Sequence, residues 1–254
     1  MSWASRRQLI TFSILSAILA TFLAIVLIAT FYKTPTCTDS KQNQSEEGID
    51  CGGSCSRLCT ASVEAPTVLF TQALPSGEGR TDIIALVENK NATAVAKNAP
   101  YRITLYGYDQ VLIQSVTGTI DLPPSSTVPV FVPGVASGRQ AVGTAFLTID
   151  PDTVAWSALP KDARIVPRVT NTTLGGTTDA PRITASLTNP DVRPLTNVKV
   201  IAVVRDGSGN TIAASQTLVQ VVPAQGSATA TFTWNTAFSG VAVSIQIFPI
   251  TQLP

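Results

Sequence analysis

An apolar run from Leu9 to Tyr32 constrains this chain more than any other feature. The run contains no charged residue, and it lies between Arg6-Arg7 and Lys33. At about 1.5 Å per helical residue, some two dozen residues cover the ~30 Å hydrocarbon core of a bilayer. The run therefore predicts a transmembrane helix over residues 9–32. Because arginines tend to stay on the cytoplasmic side, residues 1–8 are predicted to be cytoplasmic and the rest extracytoplasmic.

A cleavable signal peptide is the alternative interpretation of this run. Such a peptide has an apolar region of about 7–15 residues followed by an A-x-A-like site. This run is longer, and residues 28–33 offer no such site. We therefore predict an uncleaved signal anchor in the cell membrane, crossed once.

Small residues recur four apart within the predicted helix, in two adjacent stripes. The stripes are Ser16, Ala20 and Ala24, and Ser13, Ala17 and Thr21. Such stripes allow close approach of helices, so they indicate a route to a homo-oligomer. The alternative is that they are the ordinary small residues of a membrane helix.

Composition excludes several classes of function. With 17 Lys+Arg against 16 Asp+Glu and no run of one sign, the chain has no basic patch of the kind that nucleic acids require. It has no histidine, which excludes Ser-His-Asp and Cys-His relays and His-ligated zinc. The scattered carboxylates mark no acid/base pair. We therefore expect a protein that is not an enzyme.

All four cysteines lie in the predicted stalk, residues 33–61, between the helix and the first domain. They are Cys37, Cys51, Cys55 and Cys59. Outside the cytoplasm, an even and clustered set predicts two disulfides, and the sequence leaves all three pairings open. A zinc site of four thiolates is the alternative, but the wide gap from Cys37 to Cys51 fits its usual spacing poorly.

The same stalk carries oxygen-bearing side chains that are candidate ligands for calcium. They are Asp39, Asn43, Glu47 and Asp50. Calcium takes about six to eight oxygen ligands, and a loop held by disulfides can supply them. The alternative is a solvated acidic stalk, and the spacing is not that of an EF-hand. No other cofactor is predicted.

The ordered string around these cysteines resembles a known motif. The residues that carry the resemblance are Thr36-Cys37-Thr38-Asp39, Asn43, Glu47-Gly48-Ile49-Asp50-Cys51-Gly52-Gly53-Ser54-Cys55 and Cys59. They are similar to a short cysteine-rich motif of exported proteins from uncultured, small-genome bacteria, in which it follows a membrane helix. The resemblance implies a bacterial envelope protein and no particular activity.

The rest of the chain repeats itself at an offset of 100 residues. The matching segments are 85–89 and 185–189, 111–115 and 211–215, and 122–124 and 222–224. A period of this length is that of a domain, so it indicates tandem duplication. We predict domains at 62–150 and 163–254, joined by a linker at 151–162.

Each predicted domain is a set of short strands. In the first, residues 101–106 and 111–114 flank a turn; in the second, residues 198–204 and 211–214 do the same. Six or seven strands at this spacing, without an amphipathic helix, predict an all-β fold of two immunoglobulin-like sandwiches. The predicted core aromatics are Phe131, Phe146, Phe232, Trp234 and Phe248. Asn89 and Asn189 are expected to cap turns, and Trp156 in the linker is expected to pack.

Both domains also resemble the FxLYD-type domain, an immunoglobulin-like sandwich of the bacterial envelope. The second carries Asn189-Pro190, residues 197–200, 203–210 and 222–227 of the pattern. The first carries residues 103–106 but departs at Gly107, where the family places an Asp. The resemblance implies the fold and brings no catalytic residue.

The expected function combines these features. The chain is predicted to be a membrane-anchored envelope protein that presents two sandwiches to an envelope or surface protein, for interaction or adhesion. The alternative is a structural subunit of an envelope assembly such as pilus, secretion or surface-layer machinery.

Overall fold

The computed structural model describes residues 3–31, 36–77, 79–136, 140–159, 162 and 164–253. It confirms the predicted fold class: one apolar N-terminal helix, a disulfide-rich segment, and antiparallel sheets arranged as sandwiches. The chain divides into two compact units, residues 1–55 and 56–254.

The helix, α1, spans Trp3–Phe31 and is long and apolar enough to cross a membrane. No part of its apolar span is buried within the described chain. The hydroxyls of Thr11, Thr21 and Thr30 donate to the carbonyls of Arg7, Ala17 and Val26, four residues earlier, at 2.6–2.8 Å. These bonds satisfy the three threonine hydroxyls within the helix, as an apolar solvent requires. Tyr32 and Lys33, the predicted exit, lie outside the described residues.

Thirteen strands follow in the described chain. They are β1 (Thr67–Gly77), β2 (Arg80–Asn89), β3 (Ala94–Gly107), β4 (Leu112–Leu122), β5 (Ser126–Ala136), β6 (Val142–Thr148), β7 (Trp156–Ala158), β8 (Arg168–Thr177), β9 (Ala180–Thr188), β10 (Leu195–Arg205), β11 (Thr211–Val222), β12 (Ser227–Thr233) and β13 (Ser244–Ile250).

Sandwich 1 consists of sheets β1-β2-β5 and β4-β3-β6, and β7 pairs with the start of β3. Ile83, Ala85 and Val87 on β2 face Ile103 and Leu105 on β3 across its core. These core residues are every second residue of their strands, because successive side chains of a strand point to opposite faces of the sheet.

The structure differs from the sequence-based division at the linker. Residues 156–158, which were expected to connect the domains, form β7 of sandwich 1. Trp156 is 1% exposed and belongs to the core of that sandwich. It pairs with Ala96 of β3, and both belong to the same core cluster. Trp156 therefore packs as expected, but inside one domain.

Sandwich 2 repeats the topology of β1–β6, with sheets β8-β9-β12 and β11-β10-β13; within the described residues it has no counterpart of β7. Its core is built around Phe232 and Ile183, with Val200, Ala202 and Val204 of β10 facing them. The predicted hairpins are both present, as β3–β4 and β10–β11.

A buried asparagine holds the same corner in each sandwich. Asn89 Nδ2 donates to the carbonyl oxygens of Ala94, Leu122 and Pro123 at 2.8–3.2 Å. Asn189 Nδ2 donates to those of Arg193, Val222 and Pro223 at 2.7–3.4 Å. Each amide ties the end of one strand to the turn between two others, which supports the expected capping role and the duplication.

A third apolar cluster joins the two sandwiches face to face. It contains Leu74 and Ile84 from sheet β1-β2-β5 and Ile201, Val203 and Ala214 from sheet β11-β10-β13. The four sheets therefore stack as four layers. Gln72 Nε2 donates to the Thr211 carbonyl at 2.8 Å, and the Arg205 guanidinium lies 5.2 Å from the Phe70 ring centroid, so polar contacts flank this interface.

The two sheets that meet at this interface are not counterparts in the duplicated topology: β1-β2-β5 comes from sandwich 1, whereas β11-β10-β13 is the counterpart of β4-β3-β6. The packing is therefore heterologous. The strand registers give the residues at equivalent positions on the outer faces. Phe70, Ile84 and Phe131 of sandwich 1 correspond to Thr170, Thr184 and Thr231 of sandwich 2. Ile201, Val203 and Ala214 of sandwich 2 correspond to Arg102, Thr104 and Ser115 of sandwich 1. The offset here is 99 residues, so the predicted match of 111–115 with 211–215 was wrong by one residue. At these six equivalent positions, the joined faces carry apolar side chains and the outer faces carry polar ones.

The predicted core aromatics lie in three different places. Phe232 is in the core of sandwich 2, and Trp234 packs at its border. Phe131 and Phe248 pack against the cluster between the sandwiches. The prediction was wrong for Phe146, which is 54% exposed on the outer face of β6. An edge-to-face contact with Tyr106, at 6.1 Å between ring centroids, holds its ring there.

Candidate functional site

The cysteine-rich segment is the site that the sequence singled out, and disulfides hold it. Cys37 and Cys55 form a bond with Cα atoms 5.7 Å apart. Cys51 and Cys59 are also disulfide-bonded, and no cysteine is free. The predicted disulfides are therefore confirmed, and one of the three open pairings is selected. A disulfide sulfur carries no thiolate charge, so these cysteines are not ligands of zinc.

The turn at Asp50, Gly52 and Gly53 depends on left-handed backbone, with φ of 55°, 75° and 57°. A Cβ atom at Gly53 would collide with the Ser45 carbonyl oxygen, and one at Gly52 would meet the Glu47 side chain at 2.6–2.9 Å. The consecutive glycines of the motif are thus explained by close approach of the chain to itself.

Two of the predicted calcium ligands bind backbone N–H groups of the same segment. Both oxygens of Asp50 accept from the Ser40 N–H, at 3.0 and 3.1 Å. Asp39 accepts from the Lys41 N–H at 3.0 Å and from Asn43 Nδ2 at 2.9 Å. Desolvation raises the pKa of Asp39, but these bonds outweigh it and leave the pKa below its ordinary value.

The other predicted ligands, Asn43 and Glu47, lie nearby in the same segment. Asn43 Oδ1 is buried and has no hydrogen-bond partner among the described residues. Asp39, Glu47 and Asp50 do not come together as a group with oxygens within 4.8 Å of one another; in the described chain, only Cys37, Glu46 and Cys55 do so. Because that group contains a disulfide, it offers one carboxylate. Calcium binding stays a prediction.

Glu46 is an acidic residue of this segment that the predicted ligand set leaves out. Its side chain is buried, Oε2 accepts from the Asn43 N–H at 3.1 Å, and Oε1 lies 3.2 Å from Cys55 Sγ. Nothing in the sequence separates it from Glu47, which is exposed. Only the folded loop distinguishes the two.

The turns of the two hairpins, β3–β4 and β10–β11, place their carboxylates at different positions. In sandwich 2, Asp206 Oδ1 accepts from the N–H groups of Ser208 and Asn210, both at 2.9 Å. In sandwich 1, the carboxylate of Asp109 occupies the space where a side chain at Gly107 would be, and it accepts from the Val111 N–H at 3.2 Å. Either position can therefore supply the turn's carboxylate.

A cleft of about 720 Å³ opens where the two sandwiches meet. Leu74 and Asp82 contribute from sandwich 1, and Trp234 and Phe238 from sandwich 2. The two rings meet edge to face at 5.1 Å, and Trp234 Nε1 donates to the Ala214 carbonyl at 3.2 Å. The cleft combines aromatic walls with many polar side chains, among them Asp82, Thr233 and Asn235, and it exists only while the sandwiches are packed together.

Comparison with known proteins adds no family. No protein-family model and no curated protein matches this chain. Among solved structures, a red sea bream transglutaminase is 15% identical, with a TM-score of 0.22, covering 74% of this chain and 29% of that one. A β-glucuronidase of glycoside hydrolase family 2 is 9% identical, with a TM-score of 0.20, covering 87% and 29%. This chain thus spans under a third of either, and scores this low carry no argument.

Proposed function

We propose that this protein is a membrane-anchored, extracytoplasmic protein of a bacterial envelope that presents two joined sandwiches to a protein partner, without catalysis. The N-terminus is cytoplasmic, α1 is an uncleaved anchor, and the cysteine-rich segment and the sandwiches are outside. The resemblances to the FxLYD-type domain and to the cysteine-rich motif support a bacterial envelope protein.

The apolar cluster between the sandwiches is the observation that carries this proposal. Fully buried contacts such as Ile84 with Ile201 and Val203 make a single body, whereas a flexible linker would leave two independent domains. A rigid body presents its surfaces in a constant arrangement, which reduces the conformational cost of binding. The exposed α1 and the disulfides support placement on the oxidising side of a membrane.

A structural subunit of an envelope assembly is the second candidate. Heterologous packing like that of the sandwiches builds open assemblies where the same contact can repeat between subunits. The polar outer faces, with Thr184 and Thr231 at one end and Arg102 and Thr104 at the other, stop that packing at two sandwiches. Other surfaces would have to join subunits.

Site-specific photo-crosslinking in living cells tests the interaction. A photoreactive residue is placed at exposed positions such as Thr231, Thr148 or Leu218 of the full-length protein, and at the buried Ile201 as a control. We expect discrete crosslinked products with another protein at one or more exposed positions and none at Ile201. Only monomer at every exposed position would contradict an interaction role.

Protease accessibility in intact and permeabilised cells tests the orientation separately. With the outer barrier removed and the inner membrane intact, the sandwiches should be accessible to added protease while a tag before α1 is protected. A protected C-terminal half would contradict the proposed orientation.

A further inference from the structure

Edge strands carry unpaired backbone groups, and most edges in this protein are protected against pairing. Prolines interrupt three edge strands: Pro75 in β1, Pro129 and Pro133 in β5, and Pro249 in β13.

Strand β8 begins at the charged Arg168 and has left-handed backbone at Asn171. The Leu147 N–H of β6 donates to the Thr71 hydroxyl. Trp234 Nε1 and Ser239 Oγ donate to carbonyls of β11. Strand β12 is short, at seven residues.

Strand β4 is the exception. It spans Leu112–Leu122, eleven residues, and pairs with β3 alone. Its first nine residues, 112–120, contain neither proline nor a charged residue. Five of the nine are Ile, Val or Thr, which favour strands. This is a long, uncharged edge of the kind that accepts another strand.

The start of this edge is also apolar at its surface. Val111 is 53% exposed and Leu112 is 55% exposed. At the equivalent positions, sandwich 2 has Asn210 and Thr211 and forms the same hairpin. The fold therefore does not require apolar side chains here, and exposed apolar groups of this kind indicate a contact surface.

We propose that β4 pairs antiparallel with β4 of a second copy of this chain about a two-fold axis, giving one continuous sheet of six strands. A strand paired with its own copy is self-complementary, and the absence of charge from 112 to 120 means that no like charges face each other. This pairing needs no other protein, so it goes beyond the interaction proposed above.

The size of this contact predicts where the dimer forms. One strand edge with its neighbouring side chains buries much less than the about 800 Å² per partner of a stable interface. Anchoring both copies in one membrane raises their effective concentration, which compensates for the low affinity of a small interface. We therefore expect a dimer in membranes that dissociates on dilution in detergent.

A cysteine scan of β4 in the full-length protein tests this geometry. Ser115, Val116, Thr117, Gly118 and Thr119 are replaced by cysteine one at a time, and the protein is reconstituted in vesicles of neutral phospholipid and oxidised. In a symmetric antiparallel pair, only residues near the axis meet their own copy, at about 4.5–5.5 Å between Cβ atoms. We expect a sharp maximum of crosslinked dimer at one or two adjacent positions.

Matched charge variants separate this dimer from association through α1. Thr117→Lys adds charge to β4, and Thr144→Lys adds the same charge to the other edge of the same sheet, on β6. With cysteine at the position of maximum crosslinking, Thr117→Lys should reduce the dimer at least tenfold and Thr144→Lys should leave it within twofold; Thr119→Lys replaces Thr117→Lys if the maximum falls at 117. Equal crosslinking along the whole of β4, no crosslinking, or equal loss in both lysine variants would overturn the proposal.

Discussion

At the scale of single residues, two asparagines decide whether the sandwiches close. Asn89 is fully buried and Asn189 is 1% exposed, and each side chain donates to three carbonyls in buried or partly buried surroundings. Unpaired buried carbonyls cost about 1–3 kcal/mol each, so these amides matter more than their size indicates.

Replacing Asn189 by Ala should therefore lower the free energy of unfolding by about 2–4 kcal/mol. The exposed Asn235→Ala is the matched control and should change it by less than about 0.5 kcal/mol. Chemical denaturation followed by tryptophan fluorescence measures both. Equal stability of the two variants would contradict the capping role.

Carboxylates at the turns give stability a dependence on acid pH. Backbone N–H donation from Arg193 holds the pKa of Asp191 below its ordinary value. Desolvation raises the pKa of Asp206, but donation from Asn210 and Ser208 outweighs it, so that pKa is lowered as well. A lowered folded-state pKa means stability that is present above about pH 4 and is lost as the pH falls through the folded pKa.

We expect the denaturation midpoint to be constant from about pH 5 to pH 7, because the chain has no histidine, and to fall below about pH 4. Asp206→Asn should be less stable than the wild type at pH 7 and should lose less on acidification. Parallel pH profiles for the two proteins would show that Asp206 contributes nothing to the acid dependence.

At the scale of elements, β2 and β10 hold the molecule together. Both read as continuous apolar runs, Ile83–Val87 and Val200–Val204, and both are buried on their two faces. Such runs are typical of strands covered on both sides. The sequence-based prediction found the strands and the sandwiches but missed the interface that joins the two domains.

Other features had no signal in the sequence. Trp156 follows a 3-10 turn at Pro151–Thr153 in a segment rich in loop residues, and only its tertiary pairing with β3 makes it a strand. Phe146 was expected in the core because aromatic residues usually are, whereas its strand parity places it outside. The disulfide of Cys37 with Cys55 depends on a turn at Gly52 and Gly53 that spacing alone does not define.

The duplication provides its own test of the interface. Ile84→Thr gives sandwich 1 the residue that sandwich 2 has at the same position, Thr184. Because the hydroxyl would be buried against Ile201, we expect a loss of about 2–3 kcal/mol and separate unfolding of the sandwiches in calorimetry. The reverse change, Thr184→Ile on the outer face, should leave one transition. A single unchanged transition in both variants would contradict the interface.

At the scale of the whole molecule, an anchor, a disulfide-stabilised segment and a four-layer body follow one another along the chain. The bond from Cys37 to Cys55 closes a loop with a sequence separation of 18, which in the chain-entropy account stabilises the segment by about 3 kcal/mol. Replacing both cysteines by serine should open residues 36–55 to proteolysis while residues 56–254 unfold as before. Unchanged protease resistance would mean that this bond is dispensable.

The claim that the sandwiches form one body is tested most directly by a distance across the stack. Spin labels on cysteines introduced at Thr148, on the outer face of sandwich 1, and Thr231, on that of sandwich 2, lie on opposite sides of four layers. Sheets stack about 10 Å apart, so three intervals place these strands about 30 Å apart. Pulsed electron resonance on labelled full-length protein, diluted with unlabelled protein in nanodiscs, should give one narrow distribution at about 30–45 Å, which broadens in Ile84→Thr. A broad wild-type distribution that Ile84→Thr does not change would contradict the claim.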